Sequence, residues 1–419
     1  MIAQLYKKHF SSQPAGVRLV LLVTISIFLP LYATAAAIIA SSVYILRRHQ
    51  RRAALNASPY LHIAHVLWLL LLVVPLIYRN YIGFLCGAAT ILIFIIALYI
   101  KPFASVSLLN RVCDLCCVMS LFEAVTAVVE RFLAPLLGPQ SVLPLDLLLG
   151  REAVLAQFSR VSGVSYNPNF YAFIMEFIVV IAFYRLLTGR HPVFYIAVAA
   201  VNTAVIFLTD CRSAWAALFV GLLVLFALFK KKGGLIGLAA AVVAFGAAIS
   251  LFPALLPRVT DVGRTTAIRM AIWKGAFADF LRHPVFGRGL LAYYQVTGVF
   301  ITPHAHNIPL DLLECTGIVG FLLIIVYLVL ALTEIVRASR SGGDPARAAC
   351  ALCFGCLTVT MVHGITDMPL MGLQTGMLFF LVMALRPGER LWLNKTLPDA
   401  KAGILKAVRA RLPHSPNGR

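Results

Sequence analysis

The 419-residue chain is 61% hydrophobic and only 12% charged, yet its formal net charge is +20. That composition excludes a soluble globular domain, and its apolar runs of about 17–25 residues fit helices crossing a hydrocarbon core about 30 Å thick. The runs lack the alternation of a membrane barrel, and the basic residues sit in short loops and the C-terminal tail, where membrane orientation rather than nucleic acid accounts for them.

The expected architecture is an all-α polytopic membrane protein, a single integral membrane domain over 1–419 with about 12 transmembrane helices. Residues 19–46 are apolar for 28 positions, about 42 Å as one helix. Pro30 divides them into a hairpin of two short spans, 18–31 and 33–46. Arg47, Arg48, Arg51 and Arg52 then mark the inner side. Spans follow at 60–77, 82–100 and 112–131. Residues 132–167 form the first long outer loop, which ends on Arg160-Val161-Ser162-Gly163 and Asn167-Pro168-Asn169.

Spans at 169–187 and 192–208 lead to a tight outer turn, Thr209-Asp210-Cys211-Arg212. Two more, at 214–229 and 234–252, flank the inner triplet Lys230-Lys231-Lys232. The large outer loop covers 253–305. Within it, Arg264 to Arg282 repeats Ile268, Ile272, Ala276 and Phe280 at spacing four, as a helix lying in the membrane interface would. His283-Pro284 stops that helix, and Gly287-Arg288-Gly289 reads as a flexible approach to the membrane. Spans at 308–335, 348–365 and 370–386 leave a basic inner tail, 387–419.

This threading puts both termini inside. Inner segments then hold 25 of the 36 Lys and Arg, outer segments 11, and the bias supports the orientation. Ten of the outer eleven are arginine. Arginine outside opposes the orienting rule and asks for another cause. Snorkelling to lipid explains any single one, whereas a set in three outer loops without a matching acidic run suits anion binding by planar guanidinium forks.

His304-Ala305-His306-Asn307 stands before the helix opened by Ile308-Pro309, where proline suits the first turn. A neutral His306 there can take a proton from a substrate hydroxyl; His304 is a support candidate. Arg212 is confined by its short turn. Arg269 lies four residues before Trp273, Arg264 five before Arg269, and Arg160 just before Asn167-Pro168-Asn169. Two or three such cations can hold a diphosphate and stabilise its charge as it leaves.

Glu123, Glu176, Asp311, Glu314 and the i,i+4 pair His363 and Asp367 are ionisable groups in or near spans. They are scattered, so helix-to-helix pairing is the expected role of most. The nine cysteines imply neither a disulfide framework nor a zinc site. No P-loop, dinucleotide glycine pattern, His-Glu-x-x-His or outer Asp-rich cluster is present, so no metal or other cofactor is expected.

The chain resembles the O-antigen ligase and polymerase superfamily. The resemblance rests on outer His306-Asn307, nine residues, then Gly317-x-x-Gly320. Arg160-x-x-Gly163 with Asn167-Pro168-Asn169, the Thr209-x-x-Arg212 turn, and Arg269-x-x-x-Trp273 with His283-Pro284-x-x-Gly287 extend it over residues 158–325. It implies an inverting, metal-independent glycosyltransferase of the bacterial inner membrane. The implied donor is an undecaprenyl-diphosphate-linked glycan, and in ligases the acceptor is a sugar hydroxyl of lipid A-core. The active site would be periplasmic and the termini cytoplasmic. His306 would be the base, with Arg212 and Arg269 on the diphosphate. Arg160, Arg264, Arg288, Asn307 and His304 are the further substrate-binding candidates. Two alternatives remain at this stage: a polymerase joining lipid-linked repeat units, and a transporter of lipid-linked glycan. A transporter would be expected to line its path with charge through the full depth, and here the arginines stop at one face.

Overall fold

The computed structural model describes residues 15–47, 55, 61–132, 160–165, 167–252, 262–292 and 304–386. All the regular structure among them is helical. The helices are α1 (Ala15–Ile27), α2 (Leu31–Leu46), α3 (Leu61–Ile77), α4 (Tyr81–Ile100), α5 (Val106–Phe132), α6 (Pro168–Thr188), α7 (Pro192–Thr209), α8 (Arg212–Leu228), α9 (Lys232–Leu251), α10 (Val262–Arg282), α11 (Ile308–Ser341), α12 (Asp344–His363) and α13 (Leu373–Ala384). Short 3₁₀ turns follow α4 at Lys101–Phe103 and precede α13 at Pro369–Met371.

Seven of these, α4, α5, α6, α7, α9, α11 and α12, are long and apolar enough to cross a membrane; α1, α2, α3, α8 and α13 are shorter apolar helices. Every expected span therefore has a helix, but length and composition make spans of seven only. Pro30 does separate two packed helices, capping α2 after a break at Phe28-Leu29. The last expected span is interrupted: a 3₁₀ turn opens it, and a helix of only 12 residues follows. The basic tail 387–419 and most of the loop 132–167 lie outside the described residues.

The core is built around α6, which packs on α5, α7, α8, α12 and α13. Sixteen of its 21 residues are buried, so it is apolar all round, as a helix enclosed by others must be. α8 approaches α12 closely because both present glycine. A Cβ on Gly221 would lie 2.5 Å from Val359 and 3.2 Å from the Gly355 carbonyl. That packing brings the first turns of α6 and α8 and the last turn of α12 to the same end of the bundle.

α11 is two helices in one. Gly317 sits at φ +61°, ψ −173°, where the helical path breaks. The N–H groups of Ile318 and Val319 donate to the carbonyls of Pro284 and Val285, and Gly289 N–H donates to the Cys315 carbonyl. The loop after α10 thus supplies the bonds the broken helix lost. Gly287-Arg288-Gly289 is consequently not the flexible approach expected from sequence. It is clamped on the other side as well, with Asn80 of the α3–α4 turn donating to the Leu290 carbonyl at 2.8 Å.

The expected interfacial helix is α10. Ile272 and Ala276 are buried against Ala305, with Trp273 and Leu310 packed beside them. Ile268, expected on the same stripe, is 41% exposed, as are Met270, Phe277 and Leu281 to similar or greater extent. The helix therefore has two apolar faces, one turned to the protein and one away from it.

Candidate functional site

Three segments converge at one end of the bundle: the 304–307 loop before α11, the 364–367 turn after α12, and the start of α6 with the 160–165 loop. Local sequence fixes each. Asn307 caps α11, its Oδ1 accepting from Leu310 N–H at 3.0 Å, and its Nδ2 donates across to the Ile365 carbonyl at 2.9 Å. Ile308 N–H donates to the Gly364 carbonyl at 2.7 Å. Asp311, one turn into α11, reaches back to accept from Ala305 N–H at 2.7 Å. These bonds hold His306 at φ +50°, a left-handed conformation uncommon for histidine and costing about 1–3 kcal/mol.

Asn167 caps α6 with Pro168 in its first turn, which leaves Asn169 directed out of the helix end. Asn169 Nδ2 donates to Asp367 Oδ2 at 2.6 Å, and its Oδ1 accepts from Arg160 Nη2 at 2.6 Å. Arg160 Nε donates to the Thr209 carbonyl at 2.8 Å. The loop carrying Arg160 is held by Glu130 of α5, which accepts from the N–H groups of Ser162 and Gly163. A continuous path of hydrogen bonds therefore joins the α7–α8 turn, Arg160, Asn169 and Asp367.

Asp367 is the centre of the site. Its Oδ1 lies 3.2 Å from His306 Nδ1 and 3.6 Å from His304 Nε2, and also accepts from Met368 N–H at 2.7 Å. The His304 and His306 rings meet edge to face at 4.3 Å. His306 N–H donates to His304 Nδ1, so that nitrogen carries no proton, and His304 is the Nε2–H tautomer. Burial and then the neighbouring His306 drive the His304 pKa down to about 3, against a smaller pull from Asp367. Burial alone would raise the Asp367 pKa, but His306, then His304 and His363, hold it well below the usual carboxylate range.

An ionised Asp367 accepts only, so His306 Nδ1 carries a proton, and in the neutral ring Nε2 is the nitrogen left with the lone pair. His306 is 23% exposed, whereas His304 and Asp367 are 3% and 1% exposed. Of the three, His306 alone meets the outside. Ligand atoms of all three also lie within 4.8 Å of one another, close enough to hold a metal ion.

The remaining expected residues fall nearby in sequence but play different parts. Arg212 opens α8 two residues after Asp210, which takes the left-handed cap of α7 at φ +49°. Arg269 is half-buried on α10, one turn before Ile272, which packs on Ala305 between the two histidines. Arg288 pairs with buried Asp279 at 3.3 Å and lies over the Tyr78 ring. The Arg264 side chain is outside the described residues. Among the described residues, the hydrogen bonds and ion pairs of the His306 side chain go to Asp367, and no guanidinium is among them.

Asp367 was expected to share a helix with His363. Instead α12 ends at His363, and the chain turns so that the two face apart. His363 points inward to Glu176 of α6 at 2.8 Å, both completely buried, the helix-to-helix pairing foreseen for ionisable groups in spans. Asp367 turns to His306 and His304 instead. The one sequence signal for its role was an acid at the outer end of a span; its partners lie 61 and 63 residues away.

Fold and site define a multi-pass helical membrane protein carrying a His–carboxylate pair at one surface of its bundle. Residues 196–325 match the family model described as O-antigen ligase, which supports placement in the O-antigen ligase and polymerase superfamily. The matched segment contains Arg212, Arg264, Arg269, Arg288, His304, His306 and Asn307. Arg160 and Asp367 lie outside it. No curated protein matches the chain.

Proposed function

We propose that this protein is a ligase transferring a glycan from undecaprenyl diphosphate to a sugar hydroxyl of lipid A-core, at the periplasmic face of the inner membrane. Both termini are cytoplasmic and the chain crosses about 12 times. The observation that carries the reading is the partly exposed His306 ring, backed through Nδ1 by buried Asp367. His306 Nε2 takes the acceptor hydroxyl proton while that oxygen bonds to the anomeric carbon. The bond from that carbon to the diphosphate breaks on the opposite face, inverting the centre. Asp367 keeps the tautomer and steadies the imidazolium. The diphosphate leaves as an anion beside Arg212 and Arg269. Arg160, through Asn169, holds the carboxylate, and Arg264, Arg288, His304 and Asn307 shape the surroundings.

No metal is assigned a role. Purified enzyme with lipid-linked glycan and lipid A-core should transfer at an unchanged rate in excess EDTA, and His306→Ala should lose about 10²–10⁴-fold. Transfer by His306→Ala at the wild-type rate would exclude the base, and inhibition by EDTA reversed by added metal would reassign the cluster. Surface lipopolysaccharide from a deletion strain separates the two enzyme readings: free polymer and bare core for a ligase, core carrying one repeat unit for a polymerase.

A further inference from the structure

The group around Asp367 holds more than proton transfer needs. One imidazole and one carboxylate suffice for a base, yet a second, buried imidazole turns its Nε2 to the same oxygen. Asp367 Oδ1 lies 3.2 Å from His306 Nδ1 and 3.6 Å from His304 Nε2. Two ligands of a tetrahedral zinc ion, each about 2.0–2.1 Å from the metal, stand about 3.3–3.4 Å apart. Those two edges already match that spacing. Ligand atoms of all three residues lie within 4.8 Å of one another, and the third edge shortens by rotation of the His306 ring, the partly exposed one. Asp367 is held for the task. Its Oδ2 accepts from Asn169 at 2.6 Å and its Oδ1 from Met368 N–H at 2.7 Å, the outer partners that orient a ligating carboxylate.

Two imidazoles with one carboxylate select a borderline ion such as zinc over magnesium, which takes oxygen ligands. The proton count closes without another reactant. His304 starts as the Nε2–H tautomer and His306 as Nδ1–H. The ion takes those two nitrogens, and each ring carries its proton on the other one instead. Both rings stay neutral, Asp367 stays ionised, and no proton is released. His304 gives up the 3.2 Å bond that its Nδ1 accepts from His306 N–H, a loss that keeps the ion exchangeable. His306 ends as Nε2–H, so the lone pair that accepts a hydroxyl proton is gone.

We infer that His304, His306 and Asp367 form a site for a zinc-type divalent ion, which shuts the enzyme reversibly by fixing His306 in the unproductive tautomer. The closure rests on the reading of His306 as the base; the ion site does not. The ion has no part in transfer itself. EDTA-treated enzyme should lose most of its transfer as zinc is added, recover on renewed EDTA, and ignore magnesium at the same concentration. His304→Gln removes a nitrogen ligand. Measured against its own metal-free rate, it should need at least about ten-fold more zinc for half inhibition, since even an outer partner is worth roughly 10–100-fold in metal affinity. Zinc held by the donor's diphosphate would inhibit both proteins at one midpoint, and that result would overturn the site.

A second measurement needs neither turnover nor the variant. Cobalt added to substrate-free wild type should give the intense visible bands of a four-coordinate ion without sulfur-to-cobalt charge transfer, and should raise its melting temperature. Charge-transfer bands would put the ion on the cysteines and overturn the site, as would the weak bands of hydrated cobalt alone. Four-coordinate cobalt with transfer continuing at the full rate would overturn the closure, and with it His306 as the base. Absence of transfer by metal-free wild type would fail the ligase reading alone, and the cobalt spectrum would still decide the ion site.

Discussion

At the scale of single residues, the site depends on one carboxylate serving two imidazoles. Asp367→Asn preserves shape and loses the charge, so the imidazolium that forms at His306 loses its counter-ion. Transfer should fall by about 10²–10⁴-fold, as when the orienting acid of a triad is neutralised, with donor KM little changed. A large KM effect with intact kcat would show Asp367 to be a substrate ligand instead. His304 gives a pH prediction. Its pKa, about 3 against an ordinary 6.5, means the unfolded chain binds more protons there between those values. Stability from this group is complete above about pH 6.5 and is lost progressively as pH falls toward 3. Asp367, also held down, acts in the same sense below the ordinary carboxylate range. Thermal unfolding in detergent should drop on going from pH 7.5 to 5, and His304→Gln should flatten that slope; parallel slopes would refute the assignment.

At the scale of elements, the break in α11 explains a glycine that sequence could only count. Gly317 has positive φ, and a Cβ there would lie 2.4 Å from the Val285 carbonyl. Gly317→Ala should cost about 1–3 kcal/mol in backbone strain alone, and the clash would lift the 284–289 loop from α11. Gly237→Ala on α9, in open space, is the control and should unfold no earlier than wild type. Equal melting temperatures for both would mean the break is dispensable. The apolar runs, the Pro30 hairpin and the end of α10 at His283-Pro284 were legible because they rest on hydropathy and on proline, both local. The break was not, because Gly317 stands in an apolar run where helix is the default and the loop that replaces its bonds comes from 28 or more residues upstream. Asp367 was hidden for a related reason. Its spacing from His363 suggests one continuous helix face, and only the turn at Gly364, closed by Ile308, sends the two side chains to different partners.

At the scale of the whole molecule, the cations, the histidines and Asp367 must share one side of the membrane. The arginines pointed to a site at the outer surface, but their division of labour was not readable. Arg160 donates to Asn169 and Thr209, which is the work of a strut, and no local pattern separates that use of a guanidinium from anion binding. What remains testable is the side itself. With more lysine and arginine in the assigned inner segments, the positive-inside rule puts Lys230-Lys231-Lys232 and Arg337 in the cytoplasm and α10 with His306 outside. Fusions truncated after Lys231 or Arg340 should give fluorescent green fluorescent protein and inactive alkaline phosphatase. Fusions truncated after Arg282 should give the reverse. Phosphatase activity at Lys231 would invert the bundle and place His306 on the cytoplasmic face. There the same His–Asp pair would meet cytoplasmic rather than periplasmic acceptors, and a lipid A-core hydroxyl on the outer face would be out of its reach.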